Sequence, residues 1–167
     1  LGEICGLPLA SRLAALRAFH GLAHRTVLVA TRGGVRWFDD SKGTNPGATI
    51  AALRGLVDPA QGGRAVLIAG GDGKGADFGE LAETVGCTAR AVILMGRDGP
   101  RIAEALSGRV PTQTAKDMEE AVHLAAAIAL PGDCVLLSPA CASFDMFDNY
   151  EHRGRVFVAA VRGLGNE

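Results

Sequence analysis

Short unbroken apolar runs alternate along the chain with stretches in which apolar residues return every three or four positions. The runs Thr26–Ala30, Val35–Phe38, Ala65–Ala69, Ala89–Met95 and Cys134–Leu137 read as strands. Leu9, Leu13 and Leu16 mark a helix that begins beside Pro8 and ends near Phe19. Further helices are predicted over Asn45–Gly55, Phe78–Val85, Gly99–Ser107, Asp117–Leu130 and Arg153–Leu164. Asn45 suits an N-cap with Pro46 behind it, Gly55 reads as a stop, and Asp117 with Glu120 resembles a capping box. Gly33 and Gly34 turn the first two strands into a hairpin.

Strands without polar alternation are those covered by helices on both faces. The alternation therefore predicts an α/β fold: a Rossmann-like three-layer sandwich with a mostly parallel sheet and an antiparallel hairpin strand. In such sheets ligands bind beyond the carboxyl ends of the strands. The segments placed there are "DDSKGTN", "GGDGKGADF", "GRDG" and "SPACASFDMFDNY". If the strands are aligned, Lys42, Lys74 and Ser143 converge on one rim.

Composition narrows the partners. The chain has 167 residues, 48% hydrophobic and 21% charged, enough for one domain with a sizeable core. A net charge of -1 gives no reason to expect nucleic acid or an anionic membrane as partner. No apolar run is long enough for a membrane span. Cys5, Cys87, Cys134 and Cys141 form no C-x-x-C and are read as reduced, buried thiols of a cytoplasmic protein. The 23 glycines, roughly double the usual share, cluster at strand ends. The opening "LGEICGLPLA" reads as an excised piece of a longer protein.

Two motifs fail on inspection. "GGDGKG" is not a nucleoside-triphosphate loop, because Gly75 follows Lys74 where Ser or Thr is required and Ile68 stands where Gly is required. It is not a dinucleotide fingerprint either, because Ala76 occupies the last glycine position. A glycine-rich loop presenting one ammonium to a carboxylate remains. Lys42 reads equally as a solvated turn lysine, Thr44 and Asn45 as helix-capping residues, and Ser143 as a helix start. Trp37 is expected in the core. His24, His123 and His152 are dispersed, and no metal-ligand spacing appears.

"DDSKGTN", "GGDGKGADF" and "LLSPACASFDMFDNYEHRG", in this order and preceded by His24–Arg25, resemble the C-terminal domain of the Mur ligases of peptidoglycan synthesis, in the branch that adds D-glutamate. The resemblance covers nearly the whole chain, with residues 1–23 as the tail of a central domain and 24–167 as the C-terminal domain. It implies an ATP-dependent ligase joining D-glutamate to UDP-N-acetylmuramoyl-L-alanine through an acyl phosphate, with Mg2+ held mainly by the central domain. The N-terminal and central domains would supply the uridine-nucleotide site and the phosphate loop, so this piece alone would be inactive and carries no catalytic or metal-binding residue of its own. By resemblance, Arg25 and Asp40 contact ATP, and Lys42, Thr44, Lys74, Ser143, Phe144 and Tyr150 contact D-glutamate or product. Tyr150 stands where the family also carries Phe. The alternatives are a sister ligase of different amino-acid specificity and a non-catalytic Rossmann-like module.

Overall fold

The computed structural model describes residues 3–18, 21–57 and 62–165. The elements run α1 (Leu9–Ala18), β1 (Val27–Arg32), β2 (Val35–Asp39), α2 (Pro46–Leu56), β3 (Ala65–Gly70), α3 (Gly79–Thr88), β4 (Ala89–Met95), α4 (Gly99–Leu106), β5 (Thr112–Thr114), α5 (Met118–Ile128), β6 (Cys134–Leu137) and α6 (Tyr150–Gly163). One six-stranded sheet has the order β1-β2-β6-β3-β4-β5. Only β1 and β2 pair antiparallel, and the other four pairings are parallel.

Every residue of β3 and β6 is buried, which is why the strands read as continuous apolar runs. On one face, Leu53 of α2, Leu81 and Val85 of α3 and Ile102 and Leu106 of α4 close over Leu67, Val92 and Leu136. On the other, Met118 and Val122 of α5 and Phe157 and Val161 of α6 cover Trp37, Ile68, Ile93 and Leu137. The three layers are those expected, and Trp37 lies in the core.

Caps fix where the helices start. Asn45, Asp117 and Asn149 each accept the backbone N–H three residues on, opening α2, α5 and α6. Three expectations are corrected. Gly55 does not stop α2, which runs on to Leu56 and is capped by Val57. The final helix begins at Tyr150 rather than Arg153, because Asn149 supplies the cap. Only Cys134 and Cys141 are buried, whereas Cys5 and Cys87 are exposed. Burial pushes the buried thiols up to about 11 and about 12, so both stay protonated and unreactive. The end of α1 at Phe19 lies outside the described residues.

α2, α3 and α4 pack on one face while α5 and α6 pack on the other. The direction of winding therefore reverses between β3 and β6, and the loops leaving their carboxyl ends flank the crevice where such sheets take ligands.

Candidate active site

Four loops meet at the carboxyl ends of β2, β3, β4 and β6. The 40–45 junction is held from three directions. Asp40 is only 5% exposed, and its Oδ1 accepts from both the N–H and hydroxyl of Thr26, at 3.0 and 3.1 Å. Its Oδ2 accepts from the Ser138 hydroxyl at 2.7 Å. Burial pushes the Asp40 carboxyl up, and the Ser138 and Thr26 hydrogen bonds pull against that. Three of a carboxylate's roughly four acceptor positions are thus filled by the protein. Gly43 cannot carry a side chain, because a Cβ there would strike Ser138 Oγ and the Asp40 carboxylate.

Asp39 pins the segment in front of β1. Its Oδ2 lies 2.6 Å from His24 Nδ1, and the His24 carbonyl accepts from Lys42 N at 2.9 Å. This fixes Arg25 beside Lys42. Arg153, 2% exposed, reaches in from α6 and ties the junction to the β6 loop. Its Nε donates to Ser41 Oγ, Nη2 to the Ser41 carbonyl and Nη1 to the Cys141 carbonyl. Burial brings its guanidinium down to about 10, still charged at neutral pH.

Between this junction and α2 lies a hollow of about 390 Å3. Arg25, Asp40 and Lys42 stand on one wall and Ala48, Ala51 and Ala52 form an apolar wall opposite. The Lys42 ammonium sits 4.3 Å from the centre of the Tyr150 ring and 3.2 Å from its hydroxyl.

The β3 and β6 loops meet beside this hollow. Asp72 and Ala142 exchange backbone hydrogen bonds of 3.0 and 2.8 Å where they join. Gly71, at φ 128, lets the chains approach, since a Cβ there would collide with the Ala142 carbonyl. Lys74 follows in the left-handed region at φ 49, its N–H donating to Asp72 Oδ1 at 3.0 Å. Its ammonium lies 5.9 Å from the centre of the Phe144 ring, and Phe144 is 68% exposed. The "GRDG" loop braces both neighbours. Asp98 Oδ2 accepts from Gly73 N at 2.6 Å, Arg97 N donates to Asp145 Oδ2 at 2.8 Å, and Arg97 Nη1 reaches Asp72 at 3.4 Å. The Gly73 hydrogen bond holds the Asp98 carboxyl below its ordinary range. Asp145 Oδ1 is buried without a hydrogen-bond partner.

Of the five non-glycine residues with positive φ among those described, four lie on this rim: His24, Thr26, Lys74 and Ala140. Each costs roughly 1–3 kcal/mol, and such strain collects where function fixes the backbone. Thr26 is the most unusual, because a β-branched residue rarely adopts this conformation.

Residues 24–141 match the family described as Mur ligase, glutamate ligase domain. The chain belongs to the Mur ligases. It is 55% identical over 164 residues to the UDP-N-acetylmuramoylalanine–D-glutamate ligase of Pseudomonas putida, covering 98% of this chain and 36% of that protein. The corresponding enzyme of Aromatoleum aromaticum is 59% identical over 152 residues, covering 90% of this chain and 32% of that protein. The chain thus spans about a third of the length of these relatives. Among solved structures, a UDP-N-acetylmuramate–alanine ligase of Thermotoga maritima superposes with a TM-score of 0.68 at 16% identity, over 98% of this chain and 36% of that one. A MurF ligase of the same organism, in complex with ADP, gives 0.63 at 18%, with the same coverages. At these identities the two structures show the fold alone.

The Mur ligase domain brings its sequence-predicted residues to one end of the sheet, but not into one pocket. Arg25, Asp40 and Lys42 line the hollow beside α2. Lys74 and Phe144 meet where the β3 and β6 loops join, near the buried Ser143, whose carbonyl accepts from Met146 and Phe147 N–H in a turn and starts no helix. Thr44 is exposed at the entrance to α2. Asp40 and Lys42 both line this hollow. Sequence reasoning missed Asp39, Arg153, Asp98 and Asp145, which hold the loops. "HR" and "EHRG" were visible as motifs, but nothing local tells which carboxylate or carbonyl they meet.

Proposed function

We propose that this chain is the D-glutamate-binding, ATP-closing domain of a ligase that adds D-glutamate to UDP-N-acetylmuramoyl-L-alanine in the cytoplasm, residues 24–167 forming that domain and 1–23 the tail of a central one. The observation that carries the reading is a hollow and a lysine-bearing glycine-rich loop at the same, carboxyl end of the strands. One joins Arg25, Asp40 and Lys42 to an alanine wall, a setting for a nucleoside and its phosphates. The other presents Lys74 beside the β6 loop with no carboxylate salt-bridged to it among the described residues, a setting for a carboxylate ligand. α1 buries none of its residues and exposes Leu9, Leu13 and Leu16, which supports assigning it to a neighbouring domain.

In this reading ATP is a substrate that phosphorylates the alanine carboxylate, and the D-glutamate amine attacks the acyl phosphate. Lys42 and Lys74, with Thr44, Ser143 and Phe144, orient the dianionic amino acid or product, Arg25 faces the phosphates, and Tyr150 seats Lys42. Asp40 has one acceptor position left, enough for a single ribose hydroxyl. Closure of the domain excludes water from the acyl phosphate, which would otherwise hydrolyse. Magnesium does not fit this chain's donors. Among the described residues no group of three or more His, Cys, Asp or Glu can hold a metal, and Asp40 and Asp133 are already occupied.

The test is steady-state kinetics on the full-length ligase carrying Asp40→Asn, a change that keeps acceptance from Thr26 and lets the amide donate to Ser138. The KM for ATP should rise several-fold while that for D-glutamate holds. A rise confined to D-glutamate would overturn the assignment of Asp40 to the nucleotide.

A further inference from the structure

At the other end of the sheet, where β2, β3 and β6 begin, a hollow of about 460 Å3 is lined by Arg36, Arg54 and Arg64. All three side chains are exposed, and among the described residues none meets a carboxylate. Arg54 reaches the Thr84 hydroxyl at 3.4 Å, Arg64 reaches the Ala89 carbonyl at 3.3 Å, and Arg36 rests 5.6 Å from the centre of the Phe38 ring. These contacts orient the guanidiniums without neutralising them.

Asp133, between the lining residues Gly132 and Cys134, cannot neutralise them either. Its Oδ1 accepts from Arg64 N and Arg90 Nη2, and its Oδ2 from Arg90 Nε and Leu130 N. All of its roughly four acceptor positions are taken, and its charge is spent on Arg90. The carbonyl end of α2 contributes about half a negative charge against three positive ones. Three guanidiniums around one hollow, none paired with a carboxylate among the described residues, place like charges together that a polyanion would relieve.

We infer that this hollow is an anion site for a small molecule carrying two or more phosphate groups. Guanidinium forks match phosphate oxygens two at a time, and a single phosphate cannot balance three of them. Gly132 on the wall, where a Cβ would meet nothing within 4 Å, leaves room for phosphate oxygens to approach the backbone. Gly55 and Leu56 line both this hollow and the recess holding Arg25 and Asp40, so a molecule bound here packs against the turn that walls the other. The site does not depend on the ligase reading.

The test titrates the 167-residue chain with sodium pyrophosphate, tripolyphosphate, orthophosphate and ADP, by calorimetry and amide NMR at low salt. Pyrophosphate should bind saturably, more weakly as salt rises, with shifts centred on Gly55–Val57, Gly63–Arg64 and Gly132–Cys134. Arg36→Gln with Arg64→Gln should weaken it at least about tenfold, and Arg155→Gln should not. ADP matching pyrophosphate at the same amides identifies nucleotides as the source, and ADP at least tenfold weaker identifies a non-nucleotide polyphosphate. The inference is overturned by non-saturable binding, by shifts centred on Lys42–Thr44 or Gly73–Gly75, by undiminished binding in the double variant, or by orthophosphate binding as tightly as pyrophosphate. Should the double variant fail to fold, the shift map on the unaltered chain decides.

Discussion

Replacing Lys74 by glycine separates what its backbone does from what its ammonium does. The residue sits at φ 49, a conformation that costs an L-residue roughly 1–2 kcal/mol relative to glycine. Glycine removes that cost but loses about 0.5–1 kcal/mol of chain entropy on folding. The Lys74 side chain is exposed, so no buried contact is lost, and the Asp72 carboxylate still receives the residue's N–H. The difference leaves Lys74→Gly between neutral and about 1.5 kcal/mol more stable, up to several degrees in Tm for a domain of this size. Lys74→Ala keeps the strain and should stay within about 0.5 kcal/mol of the parent. In the full-length ligase both variants lose the charge proposed to meet a D-glutamate carboxylate, and on that proposal kcat/KM for D-glutamate should fall at least about 30-fold. Lys74→Arg should recover only part, because a planar fork does not replace a compact ammonium. The assay is a urea or thermal unfolding series on each variant beside kinetics with D-glutamate varied at saturating ATP. A glycine variant destabilised by more than about 1 kcal/mol would refute the strain argument. An unchanged kcat/KM in a folded variant would return the lysine to solvent and refute the carboxylate role.

Two further predictions concern the scaffold. Arg153→Met leaves the Ser41 and Cys141 carbonyls without the donor that now joins two loops, and should lower stability by about 2–5 kcal/mol in urea unfolding; a loss below about 1 kcal/mol would show that the guanidinium does not hold them. Burial pushes Asp133 up, but Arg90 and the N–H groups of Leu130 and Arg64 outweigh it and hold its folded pKa below the unfolded value near 3.9. Its contribution is therefore complete above about pH 4 and lost as pH falls through the folded value, so stability below pH 4 should decline less steeply in Asp133→Asn than in the parent.

The sheet was legible because its signal is local. Unbroken runs such as Ala89–Met95 announce strands buried on both faces, and Asn45 or Asp117 announces a helix start through its own side chain. Strand β5 was not legible. Thr112–Thr114 is a fully exposed edge of three polar residues with no apolar alternation, and it forms because Val92–Leu94 offers an unpaired ladder. The site followed the same division. Lys42, Lys74 and Ser143 could be placed at strand ends from the element pattern alone. The groups that aim them could not, because Asp39 meets His24 fifteen residues back and Arg153 meets Ser41 more than a hundred residues back. Such pairings depend on the strand order, and the sequence pattern does not state that β6 lies between β2 and β3.

The way the charges are distributed explains how this rim can be rigid and still receptive. The groups that hold loops are matched to protein partners: Asp39 to His24, Arg153 to two carbonyls, Asp98 to Gly73, and Asp72 to Arg97 and Lys74 N–H. The two lysines are treated differently. Lys42 rests over the Tyr150 ring and Lys74 near the Phe144 ring, and neither forms a carboxylate salt bridge among the described residues. A lysine already paired to an aspartate would have to give up that pair before meeting a ligand. A cation–π contact at an exposed position is worth only about 0.5–1 kcal/mol, and a ring can remain in contact while the ammonium turns toward a carboxylate. The rings therefore limit where each ammonium points without competing for its charge. Neutralising either lysine internally, for instance by Phe144→Asp beside Lys74, would leave the fold intact yet replace this open arrangement with a closed ion pair, and a carboxylate ligand would then have to displace it.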